Sequence, residues 1–240
     1  MAHPPLPPAV PEKADLIGSC DGTMVNTREG GWRELKAYRF EHSGGRHGLA
    51  ALETAEVFLP RIRKAAVAMR ASQAGRLFWV SDAAEWIDKG ISLQLPLAKR
   101  IVDLWHARQH IYDAGRKIFG EGTPQAQSWS RHYSEELRQH GGRVVWNSLR
   151  RVRYGEVARQ EALEALLKYL DRQADRLDYP TYERAGYPIS SGSMESFCKQ
   201  LGQRLKGPGM RWDTANIDPM AALVSLWASE EWDAHWHQVA

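Results

Sequence analysis

The sequence has few cysteines, no long apolar run and little net charge. Its 240 residues include two cysteines, Cys20 and Cys198, too few for a disulfide framework or for the usual four-ligand zinc site. No apolar stretch approaches the roughly 20 residues that a membrane helix needs, and the N-terminus lacks the apolar segment of a signal peptide. We therefore expect a cytoplasmic protein with no membrane partner. The net charge of +3 is too small to indicate nucleic-acid binding by itself.

The overall composition is that of a soluble globular protein, with 43% hydrophobic and 25% charged residues. The ten tryptophans run from Trp32 to Trp236 and are predicted to lie in the core. Prolines crowd the first eleven residues, so residues 1–14 are predicted to be a disordered segment or an extended linker. Residues 15–240 are long enough to form one domain with an insertion.

The first third of the chain is predicted to form antiparallel strands. A strand from Leu16 ends at Asp21 and is followed by a turn at Gly22. Further strands are predicted at residues 24–26, 32–42 and 48–52, with a hairpin turn at residues 28–31.

Helices and buried strands alternate after that. Apolar runs at 77–80 and 99–102 are typical of strands buried on both faces. Helices are predicted at 60–71, with Pro60 in the first turn, at 83–95, from residue 104 onward, throughout 125–176 and at 193–206, with Ser191 as the last helix's N-cap. The order predicts an α/β fold whose mixed sheet is interrupted by helices.

Acidic residues follow three of the predicted strands, at Asp21, Asp82 and Asp103, and Glu195 lies in the first turn of a basic helix. Ligands bind beyond the carboxyl ends of strands in open α/β sheets. Converging carboxylates repel one another unless a cation neutralises them, and oxygen ligands favour Mg²⁺ or Mn²⁺. The alternative remains that Asp21 belongs to a turn, that Asp82 caps a helix and that Glu195 serves the helix dipole.

Four blocks of this chain resemble the catalytic blocks of bacterial insertion-sequence transposases of the ISKra and ISLre type, relatives of the Mutator-like DDE transposases. Residues 21–36 are similar to the first block and residues 81–87 to the second. Residues 101–107 match the Asp-x-x-His signature that follows the second block in this family. Residues 186–212 are similar to the third, Pro-Ile-Gly-Ser-Gly-x-x-Glu-x-x-Cys-Lys with a Gly-Met-Arg-Trp ending. The blocks occur in the family's order and span about residues 15–230.

The resemblance implies an RNase H-like fold with an all-helical insertion at about residues 108–185. It implies that Asp21, Asp82 and Glu195 bind two Mg²⁺ or Mn²⁺ ions and catalyse DNA cleavage and strand transfer, with no small-molecule cofactor. Asp103 and His106 carry over as auxiliary residues. The resemblance also implies a homo-oligomer that acts on transposon ends and target DNA and is associated with the nucleoid.

The chain departs from the family pattern at Ser81, Ala83 and Ser190, where the family has glycine. Each adds a Cβ where the backbone is otherwise bare, which puts the catalytic rate in question. The family also carries an N-terminal region that binds transposon ends, so an N-terminally truncated catalytic domain is expected here.

Two groups of cations are predicted to contact DNA phosphates, which would be sensitive to salt and independent of sequence. Residues 131–153 hold six arginines against two glutamates, interleaved with aromatic residues. The predicted contacts are Arg143, Arg150 and Arg151 in this group and Lys199, Arg204, Lys206, Arg211 and Trp212 in the second. Solvated helix faces are the alternative for both groups.

The leading functional hypothesis is therefore a DDE transposase catalytic domain. A second is a catalytically weak or inactive remnant that still binds DNA or a transposase partner. A third is a host-adopted nuclease or DNA-binding protein on the same fold.

Overall fold

A mixed five-stranded sheet carries the fold. The structure is a computed structural model that describes the backbone of residues 6–239 and the side chains of residues 6–237. The strands are β1 (Asp15–Thr27), β2 (Gly31–His42), β3 (Gly45–Ala51), β4 (Arg76–Ser81) and β5 (Lys99–Val102). Their order is β3-β2-β1-β4-β5, with β1–β2 and β2–β3 antiparallel and β1–β4 parallel. The predicted α/β class is confirmed, and the sheet is consistent with an RNase H-like fold.

Ten α-helices occur within the described residues. They are α1 (Ala55–Ala68), α2 (Glu85–Gln94), α3 (Leu104–Phe119), α4 (Pro124–His140), α5 (Gly142–Leu149), α6 (Val157–Arg172), α7 (Tyr179–Arg184), α8 (Gly192–Leu205), α9 (Thr214–Ala228) and α10 (Trp232–Val239). Over the described part of the chain, no helix combines the length and the apolar character needed to cross a membrane.

The chain divides into two compact units. The first comprises the residues up to Lys99 and those from Ser191 onward, and the second is Arg100–Ser190. In the second unit α3 packs against α4 and α6. The predicted helical insertion at 108–185 lies within the range of this unit.

The strand β1 is longer than predicted. It continues through Asp21 and Gly22 to Thr27, so the predicted turn at Gly22 and the end of the strand at Asp21 are wrong. The physical reason is the antiparallel ladder with β2, which pairs Asp21 with Ala37 and Gly22 with Lys36. The hairpin turn that was predicted after it does lie between β1 and β2.

The two faces of β1 contribute to different cores. Successive residues of a strand point to opposite faces. Leu16 and Cys20 lie in a core with α1 and α2, whereas Val25 lies in a core with α8 and α9. Odd-numbered positions of β1 therefore face α8.

The helix α8 buries an apolar stripe against the sheet. Met194, Phe197, Leu201 and Leu205 recur at helical spacing and are all buried. Ser191 occupies the predicted N-cap position, but its side chain makes no capping hydrogen bond.

Other predictions need correction. Helix α1 begins at Ala55, so Pro60 lies inside it rather than in its first turn. Tryptophans are not uniformly buried: Trp79 is, but Trp32, Trp105 and Trp227 are more than half exposed.

Part of the proline-rich N-terminal segment is described. Residues 1–5 lie outside the described residues. Further along, Val10 is buried, and its N–H donates to the carbonyl of Met69 at 2.8 Å. The segment therefore packs on the first unit from about Val10.

Replacing Gly18 with alanine is expected to destabilise the first unit. A Cβ at Gly18 would lie 2.4 Å from the Trp79 ring and 2.8 Å from Phe40, both of which are buried. Overpacking a core costs about 1–3 kcal/mol, which urea unfolding would measure. The control is Gly155→Ala, because nothing lies within 4 Å of a Cβ there. Equal stability of the two variants would contradict this prediction.

Candidate active site

The register between the parallel strands β1 and β4 gives Asp21 and Asp82 equivalent positions after the paired residues. The pairs from Asp15↔Arg76 to Gly18↔Trp79 keep one constant offset. Asp21 lies three residues beyond Gly18, and Asp82 lies three residues beyond Trp79. Asp21 and Asp82 therefore hold equivalent positions beyond the paired residues, on neighbouring strands whose spacing where they pair is about 4.7–4.9 Å.

The same alternation places both aspartates on one face of the sheet. Asp21 is an odd-numbered residue of β1 and shares the parity of Val25, which faces α8. Trp79 faces the opposite core, with α1 and α2. Asp82 follows it by three residues and so falls on the α8 side.

The buried thiol of Cys20 responds to both carboxylates. Burial raises the pKa of Cys20, and the negative charges of Asp82 and Asp21 raise it further. Because both charges act on one thiol, the two aspartates lie in the same neighbourhood.

A backbone N–H group donates to the carboxylate of each aspartate. The N–H of Gly22 donates to Asp21 Oδ1 at 2.7 Å, and the N–H of Ala84 donates to Asp82 Oδ1 at 3.2 Å. Asp82 lies after the end of β4, and the N-cap residue of α2 is Ala84. The helix-cap alternative for Asp82 is therefore wrong.

The helix α8 runs beside Asp21. Burial raises the pKa of the Cys198 thiol to about 12, the charge and hydrogen bond of Asp21 raise it too, and the charge of Lys206 acts in the opposite direction. Cys198 also packs against the core beneath α8. Asp21 therefore contacts the helix that carries Glu195.

Glu195 precedes Cys198 by three residues, so the two side chains are neighbours on the surface of α8. Glu195 is exposed. Among the residues that the structure describes, no group of three or more histidine, cysteine, aspartate or glutamate side chains is placed to hold a metal ion. The structure thus brings two carboxylates together, with Glu195 on the adjoining helix but outside a three-ligand cluster.

Asp103 and His106 belong to the second unit. Asp103 is the N-cap of α3, and its carboxylate accepts from the N–H groups of Trp105 and His106 at 2.7 and 3.1 Å. It is almost fully buried, and His106 Nδ1 lies 3.4 Å from its Oδ1. Both residues have a structural role in starting α3.

The predicted DNA-binding cations of the first unit are exposed. They are Lys199, Arg204, Lys206 and Arg211. Trp212 differs from them, because its indole N–H donates to the Leu205 carbonyl at 3.1 Å and its backbone pairs with β1 beside Thr27. Trp212 therefore fixes the chain after α8 to the sheet.

The predicted cations of the second unit are exposed as well. Arg143 lies 3.4 Å from Asp175 in an ion pair open to solvent. The guanidinium of Arg150 lies over the ring of Trp146, 5.0 Å from its centroid, and Arg151 follows it. Exposure leaves all three able to contact a polyanion.

Two groups near the aspartates have no role in the sequence-based hypothesis. The thiols of Cys20 and Cys198 lie beside Asp21, whereas the sequence indicated only packing for Cys198. For Cys20 the sequence offered one signal, which is its position directly before Asp21 in the chain. The position of Cys198 beside Asp21 depends on how α8 packs on the sheet, which no local sequence pattern reveals.

Comparison with known proteins gives one distant structural likeness to report. A solved structure described as the simian T-cell lymphotropic virus intasome in complex with PP2A regulatory subunit B56 gamma aligns with a TM-score of 0.26 and 9% identity. The alignment covers 70% of this chain and 50% of that chain, so this chain spans about half the length of the solved protein. No family model matches the sequence, and no curated protein matches it. At this distance the likeness assigns no function.

Alkylation of Cys198 tests its contact with Asp21. A thiol with a pKa near 12 is about one part in ten thousand thiolate at pH 8, and the thiolate is the reactive form. Asp21→Asn removes the carboxylate charge and is expected to lower this pKa and accelerate alkylation by iodoacetamide several-fold. Lys206→Gln removes the opposing charge and is expected to slow it. Peptide mass spectrometry measures both rates, and an unchanged rate in Asp21→Asn would show that burial alone sets the reactivity.

Proposed function

We propose that this chain is the catalytic domain of a DDE-type transposase, a polynucleotidyl transferase that cuts and joins DNA. One observation supports the proposal most: Asp21 and Asp82 each follow the last paired residue of β1 and β4 by three positions, the charges of both act on the Cys20 thiol, and α8 contacts Asp21 through Cys198. The order of the four resembling blocks supports the same assignment, as does the mixed sheet.

The donor chemistry of this site suits a hard divalent cation. Asp21 and Asp82 supply carboxylate oxygens, which Mg²⁺ and Mn²⁺ prefer. In the proposal Glu195 is the third ligand, brought in from α8. Two such ions, when bound, stabilise the attacking and leaving oxygens of a phosphoryl transfer.

The chain's own cations hold the nucleic acid in this proposal. Lys199, Arg204 and Lys206 are exposed on or just after α8, the helix that carries Glu195. Contacts from these side chains to backbone phosphates position a strand without reading its sequence. Binding should therefore weaken steeply as salt increases. A second copy of the chain is the proposed protein partner.

A remnant that binds DNA without cutting it is the second candidate. The exposure of Glu195 and the lack of a three-ligand group within the described residues favour it. Two positions beside Asp82 also carry side chains where the resembling family has glycine, and Ser81 is buried there.

Nicking of supercoiled plasmid DNA distinguishes the two candidates. The purified chain is incubated with plasmid and either Mg²⁺, Mn²⁺ or EDTA, and the relaxed and linear products are separated on a gel. The enzyme hypothesis expects nicking with the divalent ions and none with EDTA. Salt-sensitive DNA binding in a mobility-shift assay, without divalent-dependent nicking, would instead establish the remnant.

A further inference from the structure

A polar pocket lies between the β2–β3 hairpin and the start of α8. Its volume is about 590 Å³, and the lining residues used below are Arg39, Glu41, Arg46, Ser193, Ser196 and Glu230. All of them belong to the first unit.

Arg39 is the unusual residue of this pocket. It is only 4% exposed, and its Nη2 donates to the Ala228 carbonyl at 3.0 Å. Its guanidinium also lies over the Phe197 ring, 5.4 Å from the centroid. Its Nε and Nη1 are buried and have no hydrogen-bond partner. A buried charged donor without an acceptor is costly, so two N–H directions of a guanidinium require an acceptor.

The neighbouring charged residues do not supply Arg39 with the missing hydrogen-bond acceptors. Arg46 forms an ion pair with Glu230 at 2.7 Å, in which both side chains are well exposed. Burial lowers the pKa of Arg39, the positive charge of Arg46 lowers it further, and Glu41 and Glu230 only partly oppose them. The buried guanidinium thus sits beside a second arginine and contacts no carboxylate oxygen.

The first turn of α8 adds further donors at the same place. Ser193 and Ser196 carry hydroxyl groups and line the pocket where the helix begins. The N-terminal end of a helix has a partial positive charge and favours anions. Two guanidinium groups, two hydroxyl groups and a helix start are therefore gathered around one cavity, together with the carboxylates of Glu41 and Glu230.

We propose that this pocket binds a phosphate group, with Arg39 as the principal ligand and Arg46, Ser193 and Ser196 around it. Each edge of the Arg39 guanidinium has an unpartnered N–H group, on Nε or on Nη1, that can donate to a phosphate oxygen. The remaining oxygens can accept from the serine hydroxyls. A divalent cation does not fit, because the principal group is itself a cation.

This site uses residues other than the proposed catalytic aspartates, although Arg39 pairs with Ser19, two residues before Asp21 on β1. Ser196 and Cys198 are two residues apart on α8, so they face different sides of the helix, and Cys198 faces Asp21. The phosphate site requires neither Asp21 nor Asp82 and involves no bound metal. Failure of plasmid nicking would therefore leave it standing.

Titration with inorganic phosphate tests the proposal. The side-chain Nε–H signal of Arg39 in ¹H–¹⁵N spectra is expected to shift with phosphate, and calorimetry gives the affinity. Arg39→Met is expected to weaken phosphate binding at least about tenfold, because it removes the charged guanidinium. The matched control is Arg63→Gln, an exposed arginine on α1, and its affinity should equal that of the unchanged chain.

A second variant guards against misfolding of the buried substitution. Arg46→Gln combined with Ser196→Ala alters the rim of the pocket and is expected to weaken phosphate about three- to tenfold. If circular dichroism shows that Arg39→Met is unfolded, the phosphate affinity of this rim variant tests the proposal instead. An Arg39 signal that does not respond to phosphate would overturn the proposal, and so would undiminished affinity in the folded pocket variants.

The source of the phosphate is settled by a second arm with a short single-stranded oligonucleotide. If Arg39→Met weakens binding of both the oligonucleotide and inorganic phosphate, the pocket holds a phosphate of a nucleic-acid strand. If it weakens binding of inorganic phosphate alone, the ligand is a free phosphate or a small phosphorylated molecule. Both results support a phosphate site.

Discussion

Asp21→Asn and Asp82→Asn are each expected to reduce divalent-dependent nicking of plasmid DNA by at least about 100-fold. Asparagine keeps the size of the side chain and an oxygen that can accept the present hydrogen bonds from Gly22 and Ala84. It removes the negative charge that a divalent cation needs. The loss should therefore appear in the rate of nicking while the fold is retained.

The control for this pair is Asp171→Asn, an exposed aspartate on α6 for which full activity is expected. Glu195→Gln should resemble the two active-site variants, because the proposal gives Glu195 the third ligand position. Thermal unfolding of all four proteins verifies that they are folded. Nicking that survives in both aspartate variants would come from a contaminating nuclease or from another site, and would end the proposal.

Phe197→Ala is expected to destabilise the first unit by about 3–5 kcal/mol, the usual cost of truncating a buried aromatic residue. Phe197 is fully buried between α8 and the sheet. Its ring also lies under the guanidinium of Arg39, and a Cβ on Gly48 would approach it within 3.1 Å. The truncation therefore leaves a cavity and removes a neighbour of a buried charge.

Chemical denaturation measures this loss, with Val67→Ala as the control. Val67 is 70% exposed on α1, so its truncation should change stability by no more than about 0.5 kcal/mol. Phe197→Leu should fall between the two, because it fills part of the cavity. Similar stability of Phe197→Ala and Val67→Ala would mean that α8 is not held by this contact.

The strands and helices with strong local patterns were predictable from the sequence. The apolar run before Ser81 became β4, and the stripe from Met194 to Leu205 became the buried face of α8. Both patterns follow directly from burial, since β4 has apolar neighbours on both of its faces and α8 has a single apolar face.

Other elements depend on partners that are distant in the chain. Asp21-Gly22 has the composition of a turn, yet the ladder with β2 extends the strand through it. The prediction stopped at α8 and omitted α9, which contains Pro219 and whose N-cap residue, Asp213, makes no capping hydrogen bond with its side chain. Local propensity gave no clear start for that helix, and its contacts with β3 and α8 stabilise it instead.

The candidate site was predictable only in part. The sequence named Asp21 and Asp82, and the constant offset between β1 and β4 supplies the reason why they lie together. The buried guanidinium of Arg39 escaped notice, because an arginine in an alternating strand pattern is expected to face solvent. The metal role of Glu195 remains a prediction.

The two aspartates differ in how firmly the backbone holds them. Asp21 is anchored in the middle of a continuous ladder, opposite Ala37, whereas Asp82 begins a short connection that leads into α2. Shifting the first would break pairing along a whole strand, while shifting the second disturbs only a bend. If the site binds ions and DNA as proposed, accommodation to ions of different radius or to a DNA strand comes from the Asp82 side, with Asp21 as the fixed reference point.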